Sequence, residues 1–163
     1  PMELKQKILQ LMENDARLSP RTIAVMLDEE EAKIASIIQQ MEADKVILGY
    51  NTVINWEKVD GDGAMAMIDV KVTPEREFGF SRVAERICRF PEVRCVYLMS
   101  GTYDLSVMVC GETMKDIADF TSHKLSTLDN VQSTVTHFML KRYKQDNLIF
   151  EDPQEDKRLV VSP

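Results

Sequence analysis

The sequence predicts an α+β chain, with an N-terminal winged helix-turn-helix followed by a C-terminal ferredoxin-like βαββαβ domain. Three observations carry this. The first third holds three short runs of apolar residues at helical spacing. A polar stretch from Trp56 to Gly63, broken by two glycines, then interrupts every periodic pattern. Beyond it, strand and helix patterns follow in the order β-α-β-β-α-β, the split βαβ arrangement. The implied boundaries are 1–55 for the head, 56–63 for a linker, 64–145 for the ferredoxin-like domain and 146–163 for a polar C-terminal tail.

In the first helix Leu4, Ile8, Leu11 and Met12 recur on one face, and Asn14-Asp15 ends it. Ser19 is placed to cap the second helix, with Pro20 at its first position and Ile23, Ala24 and Leu27 as its stripe. Asp28 is expected to open the third helix, forming a capping box with Glu31, and Glu29-Glu30-Glu31 suits the positive end of the helix dipole. Ile34, Ile37, Ile38 and Met41 are its buried face, and it stops near Asp44. Val46 to Ile54 reads as two short strands around Gly49, the wing. The second and third helices lie only a few residues apart, as a helix-turn-helix requires. The same three helices also read as a generic three-helix bundle.

In the second domain Ala64 to Thr73 alternates as a strand, with Ala66, Ile68, Val70 and Val72 on one face. Phe78 to Phe90 reads as a helix with Val83, Ala84 and Ile87 inward. Val93–Met99 and Tyr103–Cys110 are strands joined through Ser100-Gly101-Thr102. Thr113 to Leu128 is a helix carrying Ile117, Phe120 and Leu125, and Val131 to Tyr143 is the last strand. Glu151 to Pro163 reads as a mobile tail or arm.

The chain has 163 residues, 44% of them hydrophobic, and a formal net charge of −7. No apolar run approaches the roughly 18–20 residues of a membrane span. The charged, amphipathic start is unlike a signal peptide. Cys88, Cys95 and Cys110 form no close pair, which excludes a cysteine zinc ribbon and favours a reducing, cytoplasmic setting. The charge falls as −3 over residues 1–59, −2 over 60–143 and −2 over 144–163. No segment has the basic excess that phosphate neutralisation favours.

Three stretches carry a family resemblance: Glu3-Leu4-Lys5-Gln6-Lys7-Ile8-Leu9, Asp44-Lys45-Val46-Ile47-Leu48-Gly49-Tyr50, and Gly101-Thr102-Tyr103-Asp104-Leu105. Their order and spacing over about residues 2–145 resemble the Lrp/AsnC, or feast/famine, transcription regulators. The last stretch is similar to the Gly-x-Tyr/Phe-Asp signature of that family's ligand-sensing domain. The resemblance implies a DNA-binding domain at 1–55 and an effector-binding, oligomerising domain at 64–145. It further implies a homodimer, with octamers possible, double-stranded DNA as partner, and a small effector, commonly an amino acid, held between dimers near the Gly-x-Tyr-Asp hairpin.

Within that frame Lys33, Ser36, Gln39 and Gln40 lie off the isoleucine stripe of the third helix and have the chemistry to read base edges. Arg17 and Arg21 are placed as phosphate clamps. Glu29, Glu30 and Glu31 stand where the family more often has Ser, Thr and Arg. Gly101, Thr102, Tyr103 and Asp104 are the candidate effector site. Gly101 would supply positive φ and close backbone approach, and Asp104 a carboxylate for an ammonium group. Thr134 and Thr136 are candidate polar neighbours. His123 and His137 have no companions at metal spacing, so no metal, cofactor or catalytic residue is assigned. Two other readings stay open. One is an enzyme resembling tetrapyrrole-modifying decarboxylases, with His123 and His137 as candidates. The other is a stand-alone sensor that keeps the helices without affinity for DNA.

Overall fold

The computed structural model describes residues 2–61 and 63–151; residues 152–163, most of the expected tail, lie outside the described set. The chain divides into two compact units. Among the described residues the first comprises 2–54 together with Lys144–Ile149, and the second comprises the rest of Asn55–Tyr143 with Phe150 and Glu151.

The first unit holds α1 (Leu4–Asn14), α2 (Pro20–Leu27) and α3 (Glu31–Ala43). Gln6 reaches back to accept from the Glu3 amide at 3.3 Å, which fixes the start of α1. Ser19 caps α2 as its sequence position suggests, accepting from the Thr22 amide at 3.1 Å, with Pro20 at the first helical position. Ile8, Ile23, Ile34 and Met41 are sealed from solvent, with Met12, Ala24 and Ile38 around them. Ile37, expected in that core, is half-buried at its edge.

Asp28 does not open α3. It ends α2 in the left-handed region, φ 54° and ψ 53°, and the Glu29 amide closes the turn on the Ala24 carbonyl at 2.9 Å. Aspartate is one of the few residues that visits this region readily, so the residue that looked like a start serves as a stop. The cap position of α3 falls to Glu30, whose side chain makes no capping bond. The expected wing strands are also absent: residues 46–54 join no ladder. Instead the chain turns at Lys45, φ 59°, and the Val46 and Ile47 amides both return to the Met41 carbonyl. The ladder of this unit lies where the tail was expected to begin. β5 (Lys144–Gln145) pairs antiparallel with β6 (Leu148–Ile149) across Asp146 and Asn147, both at positive φ. That is the two-residue hairpin turn whose twist matches paired strands.

The second unit is a four-stranded antiparallel sheet in the order β2-β3-β1-β4, with β1 Ala64–Val72, β2 Val93–Leu98, β3 Leu105–Gly111 and β4 Val131–Phe138. α4 (Ser81–Cys88) and α5 (Met114–Phe120) cover one face. Ala66, Ile68, Val70 and Val72 pack beneath them against Val83, Ile87, Ile117, Phe120 and Leu125. Phe90 meets Phe120 edge-on at 5.4 Å between ring centroids. Gly63 is required where it stands, because a Cβ there would sit 2.6 Å from the Gly111 carbonyl oxygen.

Several elements are shorter than their patterns. α4 begins at Ser81 rather than Phe78. The helix expected over 113–128 runs only to Phe120 and continues as a wider π turn, Thr121–Leu125. The buried Thr121 hydroxyl donates to the Ile117 carbonyl at 2.9 Å, and the Ser126 amide closes instead on the Thr121 carbonyl. β4 ends at Phe138 rather than Tyr143. Among the described residues no helix is long and apolar enough to cross a membrane.

Candidate functional site

In the first unit Arg17 in the turn before α2, Arg21 on α2, and Lys33, Ser36, Gln39 and Gln40 on α3 are all exposed. Positions 33, 36 and 40 follow one another along one face of α3, opposite the buried Ile34, Ile38 and Met41. Two of the six are engaged along their own helix. Lys33 Nζ lies 3.0 Å from Glu29 Oε2, and Gln40 Nε2 donates to Asp44 Oδ1 at 2.9 Å. Arg17 sits in a turn fixed by its own amide donating to Asp15 Oδ1 at 3.0 Å. Glu29 therefore partly neutralises Lys33.

In the second unit the site forms where the loop of residues 99–104 meets the end of β1. The register pairs Val70 with Leu105, which sets Asp104 beside Lys71 and Val72. The Asp104 amide donates to the Val70 carbonyl at 3.0 Å, and the Met99 amide donates to the Asp104 carbonyl at 2.8 Å. Asp104 Oδ2 accepts from the Val72 amide at 2.8 Å and faces Lys71 Nζ at 3.9 Å. Lys71 Nζ also donates to the Thr102 carbonyl at 3.1 Å. A carboxylate and an ammonium thus stand side by side at a loop that is otherwise exposed at Gly101 and Thr102.

Two expectations need correction. Gly101 does not take a positive φ; among the described glycines only Gly61 and Gly79 do. It does leave open space, since a Cβ there would meet nothing within 4 Å. Thr134 and Thr136 are not neighbours of Asp104 within one chain. They pair with Val70 and Ile68, so they share the helix-side face, whereas Lys71 lies on the other. Lys71 was missed from sequence because its partner became visible only once the strand register was known.

The remaining candidates are locally satisfied. His123 Nδ1 lies 2.9 Å from the Asp119 carbonyl, and His137 Nε2 lies 3.0 Å from Asp69 Oδ2 across β4 and β1. Among the described residues no group of three or more His, Cys, Asp or Glu is arranged to hold a metal. Glu92 accepts from Lys124 at 2.7 Å, and that hydrogen bond holds its carboxyl below the usual range against the opposing effect of burial.

A helix-turn-helix unit joined to a βαββαβ unit with an open, charged hairpin defines the class of transcription regulators that couple a DNA-reading head to a ligand-binding domain. Residues 65–149 match the family model described as the Lrp/AsnC ligand binding domain. Over 162 residues the chain is 53% identical to the uncharacterized HTH-type transcriptional regulator YugG of Bacillus subtilis, covering 99% of this chain and 98% of that protein. It is 30% identical to the HTH-type transcriptional regulator LrpA of Pyrococcus abyssi, over 84% of this chain and 94% of that one. The solved regulator NMB0573 of Neisseria meningitidis, in complex with L-Met, shares the fold with a TM-score of 0.68 at 20% identity, covering 96% of this chain and 99% of its own. The chain belongs to the Lrp/AsnC family of transcription regulators.

Proposed function

We propose that the chain is a cytoplasmic DNA-binding regulator, without enzymatic activity, that works as a homodimer or larger assembly. Its DNA affinity is set by an amino acid bound where loop 99–104 meets an interface between copies. The observation that carries this is the pairing of Asp104 with Lys71. An α-amino acid presents one ammonium and one carboxylate, and the loop offers their complements side by side. Oδ2 of Asp104 is occupied by the Val72 amide, which leaves Oδ1 for the ligand. Thr134 and Thr136, on the other face, join this site only from a second copy. The solved relative in complex with L-Met supports the ligand class.

The homodimer reading rests on the second face of the sheet. Met65 and Met67 on β1, Cys95 and Tyr97 on β2, Met108 and Cys110 on β3 and Val135 on β4 lie there in register, outside the core that α4 and α5 cover. A sheet of this kind buries its second face against a partner layer. On the head, Arg17 and Arg21 clamp phosphates while Ser36 and Gln39 read bases.

The test is a thermal-shift screen of the twenty amino acids, followed by calorimetry of the best hit on the wild type and on Asp104→Asn. A ligand at about 100-fold over its Kd adds roughly 2.7 kcal/mol of stability. Equal affinity for both proteins would remove Asp104 from the site. A second reading, a sensor without DNA affinity, is favoured by Glu29, Glu30 and Glu31 at the start of α3. Absence of DNA binding even at low salt would select it.

A further inference from the structure

We propose that the outer side of α4 is a second DNA-contacting surface, gripping the phosphate backbone of the duplex that the head binds. The inference rests on the DNA-binding reading above and brings part of the second unit into it. Arg76, Arg82, Arg86 and Arg89 place four of the chain's nine arginines among residues 76–89, and no lysine falls with them. Glu77 and Glu85 are the acids of that stretch, so it carries +2, whereas the rest of residues 60–143 carries −4 and residues 1–59 carry −3. Within a chain of net charge −7 the stretch is locally basic.

Arg82, Arg86 and Arg89 stand at i, i+4 and i+7, which makes one exposed row along α4 and its cap residue. Val83 and Ile87, on the adjoining side, are sealed in the core and hold the row toward solvent. Arg82 is braced at one end. Its guanidinium stacks on the Phe78 ring at 3.7 Å, with Glu75 Oε2 at 3.5 Å. Arg76, Arg86 and Arg89 have no ion pair among the described residues. At about 1.5 Å per residue the row is roughly 10 Å long. Successive phosphates of one DNA strand advance about 3.4 Å along the duplex, so the row spans about three of them. A guanidinium forks onto two phosphate oxygens, which suits arginine to such a row better than lysine. An acidic protein surface would also meet this charge. DNA is favoured because the phosphate term dominates affinity, and residues 1–59 supply just two arginines to it. α4 covers the helix side of the sheet, so the row lies opposite the face assigned to a second copy.

The full-length protein is titrated into a fluorescein-labelled duplex of mixed sequence, about 40 base pairs long, over a series of KCl concentrations that reads the salt slope. Arg86→Gln/Arg89→Gln should bind about tenfold or more weaker, with the slope lower by about one unit for each lost phosphate contact. Arg86→Lys/Arg89→Lys keeps the charges and should retain most of both. Glu85→Gln removes an exposed acid beside the row and should tighten binding. Arg21→Ala, on the head, should add its loss to that of the Gln pair. The proposal is overturned, and the row falls to an acidic protein surface, if the Gln pair keeps wild-type affinity and slope. It is also overturned if the Lys pair loses as much as the Gln pair. Should the Gln pair fail to fold, Glu85→Gln decides, and unchanged affinity overturns the proposal. A wild type that binds no duplex at the lowest salt sinks the DNA-binding reading together with the row, whereas a bound wild type matched by the Gln pair sinks the row alone.

Discussion

Asp104 carries two duties that different substitutions separate. Its Oδ2 satisfies the Val72 amide at the end of β1, and the rest of the carboxylate supplies charge beside Lys71. Asp104→Asn keeps an acceptor for Val72 and removes the charge. Its melting temperature should stay near wild type while effector affinity falls about ten- to a hundredfold. Asp104→Ala leaves the amide unpaired and should cost about 1–3 kcal/mol of stability as well. Urea melts and calorimetry on the two variants read the duties apart. Glu92 gives a pH dependence of known sign. Its folded-state pKa is depressed by the Lys124 hydrogen bond, so the pair's stabilisation is present above the unfolded carboxyl value of about 4.3 and is lost as pH falls through the folded value. Glu92→Gln should therefore be less stable than wild type at pH 7, and the difference should close as pH falls through the depressed folded value. An unchanged gap in melts at pH 7 and pH 3 would mean the ion pair contributes nothing.

At the scale of elements, the turn between α2 and α3 depends on one backbone conformation. Asp28→Gly should be neutral or slightly stabilising, because glycine enters the left-handed region without strain. Asp28→Val should lose about 1–2 kcal/mol, since a β-branched residue clashes there. Chemical denaturation of both variants checks the assignment of Asp28 as a stop. This turn also shows where sequence reading fails. Ser19-Pro20 was legible because cap and proline act within four residues of their targets. Asp28, followed by three glutamates, satisfied a start pattern equally well, and only the dihedral angle decides. The strands of the second unit were legible because Ala66, Ile68, Val70 and Val72 alternate against a covering layer. Residues 46–54 are apolar enough for strands but have no partner. Lys144–Ile149 is polar and short, and its ladder depends on a turn at Asp146-Asn147 that no hydrophobic pattern announces. Of the candidate site, the loop from Gly101 to Asp104 is marked in the sequence by its glycine between two strand patterns, whereas the pairing of Asp104 with Lys71 and the facing of Thr134 and Thr136 required the register.

For the whole molecule, an uncovered sheet face bearing Met65, Met67, Met108 and Tyr97 implies association. Light scattering at micromolar concentration should give a dimer or larger species, and a monomer would contradict the homodimer reading. With −3 on residues 1–59, DNA affinity rests on few phosphate contacts. Arg21→Ala should weaken all DNA sequences alike and flatten the salt dependence by about one unit of slope per lost contact. Loss confined to one operator would make Arg21 a base reader. The strand order has a kinetic consequence as well. β1 is the first strand synthesised, yet it lies between β3 and β4, and its pairing of Ala66 with Phe138 joins nearly the two ends of the second unit. A ribosome-bound chain can close the helix-side core on β1, β2 and β3, but one edge of β1 stays bare until β4 emerges. Nascent chains stalled before Val131 should therefore be cut by protease within β1, and chains extended past Phe138 should resist.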